Sequence, residues 1–330
     1  MREVVIPLLP LAPLQMGKGE AVSKFYLTDL SSRDKPWDKH RLTADRVSAI
    51  YEEVEFTDYA GRINRCSQML LFGSVLDDQG AKAIRLKSSF FCRVRHCPVC
   101  QWRRSLMWKA RLGKVLPVIQ KDYPKVRWLH LTLAVRNCEI TSLRDTLKLM
   151  NDAWKRITKL KVYPAIGYFK SLETTRGEDG TVHPHFHILL MVESGYFGKN
   201  YINQKEWIEI WRKSLRVDYA PTAHVKSIKD LSGNDNLLNA IKEVAKYTVK
   251  GDDLIAEKGW LDELTKQVHK TRAISVGGVL KQYLSDNEAT NEELILGEVI
   301  DDPNLTIDPY YLAQWDKPET RYTITKMDNE

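Results

Sequence analysis

His185 and His187 stand two apart in Val182-His183-Pro184-His185-Phe186-His187-Ile188-Leu189-Leu190-Met191-Val192, behind the turn Gly177-Glu178-Asp179-Gly180. This aliphatic and β-branched run predicts a β-strand. Strand side chains alternate faces, so both imidazoles point one way, and Phe186 and Ile188 point into a core. Imidazole suits several divalent metals, and a rigid strand is a good base for a metal site. His183 lies on the same face, so His183 and His185 are an alternative pair. Pro184 argues against it, because proline cannot donate to a strand ladder. Three histidines on a polar strand face without a metal are the bland alternative.

Ala165–Thr175 predicts the preceding strand, joined to the histidine strand by a hairpin. Counting back across the turn sets Glu173 opposite the histidines. A carboxylate there completes a three-ligand site with positions open for substrate. An ordinary surface glutamate is the alternative.

Four cysteines lie near one another in sequence: Cys66, then Cys92-Arg93-Val94-Arg95-His96-Cys97-Pro98-Val99-Cys100. Four thiolates match a closed structural zinc site. A hairpin between Met69 and Phe91 would return Cys66 to the other three, and His96 is the reserve ligand. Buried thiols or a redox pair are the alternative. Cys138 reads as a small core residue. This clustering suits a reducing compartment better than a disulfide framework. Further on, Leu237–Lys250 has helical apolar spacing, which sets Glu243 and Tyr247 one turn apart with Lys246 and Lys250 nearby. A lone helical tyrosine normally packs. One with a carboxylate a turn before it and lysines around it is a candidate for chemistry.

The elements that must position these residues follow in order. The chain has 330 residues, 43% of them hydrophobic, which suggests roughly two domains. Mean hydropathy is −0.39. Residues 286–330 hold 12 acidic and 3 basic side chains, a net of −9, so residues 1–285 carry +16 of the overall +7. A body that basic points to a polyanion, most simply nucleic acid. No apolar run is long enough to span a membrane. Val4-Val5-Ile6-Pro7-Leu8-Leu9-Pro10-Leu11 is broken by prolines and does not read as a signal peptide, so a cytoplasmic protein is expected.

Residues 1–35 read as an irregular arm, and Asp38–Glu53 as a helix with Lys39, Arg41 and Arg46 on a solvated face. Gln101–Gln120 predicts a helix that interleaves Trp102, Arg103, Arg104, Trp108, Lys109, Arg111 and Lys114, as nucleic-acid surfaces do. Its tryptophans also have the cysteine module to pack on. Val126–Val135 then reads as a strand, Leu143–Leu160 as a helix, and Gln204–Leu215 as a helix with Trp207 and Trp211. Ala223–Ile228 is a last strand. The order β-α-β-β-α-β predicts an α+β, ferredoxin-like split βαβ core with an antiparallel sheet, behind a small Cys-rich zinc module.

Several pieces occur together in order: Arg33-Asp34-Lys35-Pro36-Trp37-Asp38-Lys39-His40, Arg95-His96-Cys97-Pro98-Val99-Cys100, Leu129-His130-Leu131-Thr132-Leu133, His183-Pro184-His185-Phe186-His187 and Glu243-Val244-Ala245-Lys246-Tyr247-Thr248-Val249-Lys250. They resemble the plasmid rolling-circle replication initiators of the HUH endonuclease superfamily, specifically the single-tyrosine Rep family of small bacterial plasmids. The third piece departs from the family pattern: His130 stands where a threonine is more usual, and little effect is expected. The resemblance runs from about residue 28 to about residue 285. It implies an N-terminal arm and helix (1–60), a Cys-rich module with the basic helix (61–120) and an HUH endonuclease domain (121–285). An acidic C-terminal tail (286–330) lies outside it.

The resemblance implies a nick in one strand at the plasmid's double-strand origin. Tyr247 would attack the scissile phosphate, giving a 5′-phosphotyrosine and a free 3′-OH, and the strand would later be rejoined or replication terminated. A tyrosine of pKa near ~10 needs help at neutral pH. Lys250, with Lys246 beside it, would supply positive charge. Mn²⁺ or Mg²⁺ on His185, His187 and Glu173 would polarise the phosphoryl oxygens. Glu243 would act as general base for water at termination, and no second tyrosine lies on this helix. The implied partners are origin DNA, single-stranded at the nick and duplex or hairpin around it, and a host helicase and polymerase. By charge and position, Arg93, Arg95, Arg103, Arg104, Lys109 and Lys246 are candidate DNA contacts. A related transposase or relaxase, or an origin-binding protein that no longer cuts, are the alternatives.

Overall fold

The computed structural model describes residues 24–31, 34–76, 82–228, 234–246, 248–284, 290–296 and 310–327. After a short α1 (Leu27–Leu30), proline opens α2 (Pro36–Glu53), where its fixed φ suits a first turn that needs no N–H. α3 (Thr57–Arg65) follows, then the antiparallel hairpin β1 (Met69–Leu76) and β2 (Lys82–Ser89). Pro98 opens the next helix, α4 (Pro98–Asp122), three residues before the predicted start.

Arg41 corrects the expectation of a solvated face on α2. It is fully buried. Its guanidinium donates to the carbonyls of Ile63 at 2.8 Å, Cys66 at 2.9 Å and Asn64 at 3.1 Å, and to Asp45 Oδ1 at 2.6 Å. Helix ends leave carbonyls without internal partners, and this fork satisfies those at the end of α3.

The core domain has the predicted order: β3 (Arg127–Ala134), α5 (Leu143–Ile157), β4 (Ala165–Arg176), β5 (Val182–Val192), α6 (Gln204–Leu215) and β6 (Thr222–Ile228). α6 is opened by a capping box in which Asn203 and Glu206 each bond the other's backbone N–H. α7 (Asn234–Val244), α8 (Gly251–Ala256) and α9 (Lys258–Gln267) follow, then β7 (Ile274–Gly278). The sheet order is β6-β3-β5-β4-β7, antiparallel throughout, with β7 added to the ferredoxin-like four. One face carries Leu129, Leu131, Leu133, Phe186 and Ile188 in the core. On that face Lys170 lies over the Phe186 ring at 3.7 Å and donates to Asn151 of α5, and burial pushes its pKa down to about 7. Trp211 of α6 donates to the Ala134 carbonyl at 2.9 Å. The opposite face carries the histidines and is met by α7.

The described residues beyond 286 do not form a separate acidic tail. Beyond α10 (Asn291–Leu296), the strands β8 (Tyr310–Asp316) and β9 (Arg321–Met327) join the first hairpin in a sheet of order β2-β1-β8-β9. Met69 pairs with Gln314 and Gly73 with Tyr310. Trp315 donates to Asp45 Oδ2 at 2.8 Å, and the Tyr322 hydroxyl to the Ser67 carbonyl at 2.7 Å. The apolar alternation in Tyr310–Asp316 outweighs the acidic composition around it. Trp315→Ala removes a buried ring and strands one oxygen of Asp45. It should lower stability by about 3–5 kcal/mol in urea titration; an unchanged midpoint would show that the C-terminal hairpin is not part of the N-terminal core.

Candidate active site

The site begins with strand register. Glu173 on β4 pairs directly with His185 on β5, and Ser171 with His187. Directly paired residues share a face, so the carboxylate meets both imidazoles. Glu173 Oε2 lies 3.0 Å from His185 Nε2 and 2.8 Å from His187 Nε2. Cis ligands of an octahedral ion at about 2.1 Å lie about 3 Å apart, so the spacing suits Mg²⁺ or Mn²⁺. Burial alone would raise the Glu173 carboxyl, but the two imidazoles beside it hold it well below the usual carboxylate range. His185 Nδ1 sits 3.3 Å from the His183 carbonyl. A metal-binding histidine is usually oriented by a bond of this kind from its other ring nitrogen. The donor set therefore fits a divalent ion. His183 Nδ1 is instead 2.9 Å from Asn137 Oδ1, so among the three histidines the pair grouped with Glu173 is His185 and His187.

Three residues on the same face went unassigned in the sequence. His130 stacks on His187, with ring centroids 5.6 Å apart and planes at 16°. Burial pushes its pKa down to about 4, with a smaller contribution from His187. His224 and Lys226 lie next to Thr132 and His130 on β6 and are exposed. Alternation in Thr222–Ile228 was visible, but only the β3–β6 register shows which residues face the histidines.

The helix expected over Leu237–Lys250 stops at Val244. The Lys246 N–H already reaches back three residues, to the Glu243 carbonyl. Tyr247 lies outside the described residues. Thr248 is held from two sides. Its carbonyl accepts from the Thr174 N–H at 2.8 Å and the Thr174 hydroxyl at 3.1 Å. Its hydroxyl, at 2.9 Å, and the Val249 N–H, at 3.3 Å, both donate to Gln101 Oε1. A continuing helix needs the Val249 N–H and the Thr248 carbonyl for itself, so these partners replace the helix. Lys250 is then the residue before α8 rather than a helical neighbour of Glu243. Glu243 is on the last turn of α7, the helix that meets the histidine face, and is ion-paired with Lys246.

The hairpin returns Cys66 as expected. Cys66 Sγ lies 3.6 Å from Cys100 Sγ and 3.7 Å from Cys97 Sγ, and Cys92 Sγ lies 3.6 Å from Cys100 Sγ. Tetrahedral ligands at a zinc–sulfur distance of about 2.3 Å are about 3.8 Å apart, so the four thiols fit that ion. The backbone N–H groups of Cys92 and Arg93 point at Cys66 and Cys100 Sγ, and Arg93 takes a positive φ of 57° to do so. Burial pushes the Cys66 and Cys97 thiols up, and bonds from the other three thiols hold Cys100 low. His96 is not in the cluster; its Nδ1 is 3.1 Å from the Tyr51 hydroxyl.

Residues 83–323 match the family model described as "Replication protein". The chain belongs to this replication protein family. The match runs well past residue 285 and into β9, in keeping with a C-terminal hairpin that is part of the fold. The chain is 32% identical over 320 residues to "Protein rep" of Lentilactobacillus hilgardii, which covers 92% of this chain and 100% of that one. It is 32% identical to "Protein rep" of Streptococcus pneumoniae (79% of this chain, 82% of that one). It is 33% identical to a "Replication protein" of Staphylococcus aureus (64% of this chain, 96% of that one). No solved structure matches.

For a replication protein, the basic side chains matter most where they are available. Two of the expected DNA contacts are not. Arg95 donates to the Val268 and Thr271 carbonyls at 3.1 and 2.6 Å, and buried Arg103 donates to those of Leu294 and Ile295 at 2.7 and 2.8 Å. Both arginines tie helix ends together, and basic composition alone does not separate that role from phosphate binding. Arg93 is exposed, Arg104 and Lys109 are partly so, and Lys246 is exposed beside Glu243. The cysteine geometry predicts about one zinc per purified chain by elemental analysis. Cys97→Ser should lower that content severalfold and lower the thermal midpoint; full zinc in the variant would rule out the four-thiol site.

Proposed function

We propose that this chain initiates rolling-circle replication of a plasmid in the cytoplasm by nicking one strand of the origin. The observation that supports this most is Glu173 Oε2 within 3.0 Å of both His185 and His187 Nε2, on one face of the sheet of a replication protein. A bound Mn²⁺ or Mg²⁺ would polarise the scissile phosphate there.

The remaining roles belong to the chain's own residues. The Tyr247 oxygen attacks phosphorus, the P–O3′ bond breaks, and the departing oxygen takes a proton to give the 3′-OH. The 5′-phosphate stays on the tyrosine as a phosphodiester, so rejoining is the same displacement run backwards by a 3′-OH. The exposed Lys250 ammonium favours the phenolate. At termination Glu243 takes a proton from water, whose oxygen attacks the scissile phosphorus in place of a second tyrosine; the P–O3′ bond breaks and the departing oxygen takes a proton to give a 3′-OH. Glu243 is ion-paired with Lys246, three residues on. His224 and Lys226 extend the site face to the sheet edge, and Arg136 stacks on Tyr219 at 3.7 Å beyond the end of β3. With Arg93, Arg104 and Lys246 these groups suit a single strand's phosphates and bases. A host helicase and polymerase would then extend the 3′-OH.

Supercoiled plasmid carrying the cognate origin, incubated with the protein and Mn²⁺, should give nicked circles with protein on the 5′ end. Tyr247→Phe should lose at least a hundredfold of this product. Binding without any nick in the unaltered protein would sink the reading. Glu243→Ala should nick at a near-normal rate but terminate poorly, accumulating products longer than one plasmid unit in a replication assay. Loss of nicking in that variant would count against the water-activating role.

A further inference from the structure

We infer that Gln101, in the cysteine module, is a positioning residue for strand cleavage: it fixes the segment that carries Tyr247. This rests on Tyr247 being the nucleophile. Residues 97–101 form the cap and first turn of α4, with Cys97 at the cap, Cys100 in the cluster, and the Gln101 N–H on the Cys97 carbonyl at 2.9 Å. The four-cysteine cluster therefore sets the backbone from which the Gln101 side chain projects. That side chain is 5% exposed, and its Oε1 takes both the Thr248 hydroxyl and the Val249 N–H.

The other attachment of the same residue is to Thr174, next in the chain after Glu173. Thr248 is thus held one residue from a candidate zinc ligand on one side and one residue from a candidate catalytic-metal ligand on the other. Position 247 is bonded directly to it. Thr174 alone would leave the Thr248 side chain and the Val249 N–H without acceptors, and burying a donor without an acceptor is unfavourable. The segment would then gain by rewinding toward the helix its sequence favours, which changes the Thr248 backbone to which position 247 is joined. In-line attack needs the reacting atoms about 3–3.5 Å apart, and a shift of about 1 Å can lower the rate about a hundredfold. Gln101 touches neither the metal group nor any assigned DNA contact, so its effect falls on the chemical step and not on binding.

The test measures the rate of covalent protein–DNA adduct formation on an origin oligonucleotide, with zinc content and thermal midpoint recorded for each variant. Gln101→Met keeps the shape and removes the acceptor. It should lower the limiting rate at saturating DNA about tenfold to a hundredfold and leave the half-saturating DNA concentration within about twofold. Gln101→Glu keeps an acceptor oxygen in the Oε1 position and should restore most of the rate. A normal limiting rate in Gln101→Met, with Tyr247→Phe inactive, overturns the inference alone. Adduct formation by Tyr247→Phe overturns the underlying reading instead. If Gln101→Met loses its zinc, Thr248→Val removes one of the two donors from outside the module; an unchanged rate there overturns the inference, and a loss confined to the limiting rate supports it.

Discussion

Glu173 sits directly across from His185 because β4 and β5 pair in one register, and a slip of one residue would turn the carboxylate to the opposite face. The turn between the strands holds that register. The Gly177 N–H bonds the Thr181 carbonyl at 2.8 Å, Asp179 accepts from both the N–H and hydroxyl of Thr181, and Gly180 takes a φ of +83° that favours glycine. Trp260 of α9 donates to the Gly180 carbonyl, and Arg176 pairs with Glu257. The helices after the Tyr247 segment therefore brace the hairpin that builds the metal group. The other face of the same strands buries Leu172, Phe186 and Ile188, and that burial makes the register hard to shift.

The second constraint is the packing of the N-terminal module. Its four thiols come from two separated pieces of chain, and Arg41 closes the gap by binding the carbonyls at the end of α3, including that of Cys66. Asp45 accepts from Arg41 with one oxygen and from Trp315 with the other, so the C-terminal hairpin is coupled to the same point. A buried carboxylate bound to an arginine and an indole is costly to half-break. The chain's last strands therefore contribute to the module that holds its first cysteine.

The two constraints meet at Thr248, where the sheet and the cysteine module each take a backbone or side-chain group that a helix would have used. A helix running on through Lys250 would have set Glu243 and Tyr247 one turn apart on a common face. The break instead leaves Glu243 on the last turn of α7 and holds Thr248 and Val249 between Thr174 and Gln101.

Local pattern was enough to determine the kinds of element, the βαββαβ order, the pairing of two histidines with a carboxylate, and the return of Cys66 to its three partners. Each depends on periodicity or on a hairpin count over a few residues. Three features were decided only by tertiary structure. Arg41, Arg95 and Arg103 read as solvated or DNA-facing cations, but each is drawn inward by carbonyls 22 to 192 residues away. The acidic composition after residue 286 concealed a hairpin whose partner strand begins at Met69. The helix at Val244 ends because Gln101 and Thr174 compete for its next backbone groups. Helical propensity is a sum over neighbours in sequence, and it carries no information about acceptors and donors brought in from elsewhere in the chain.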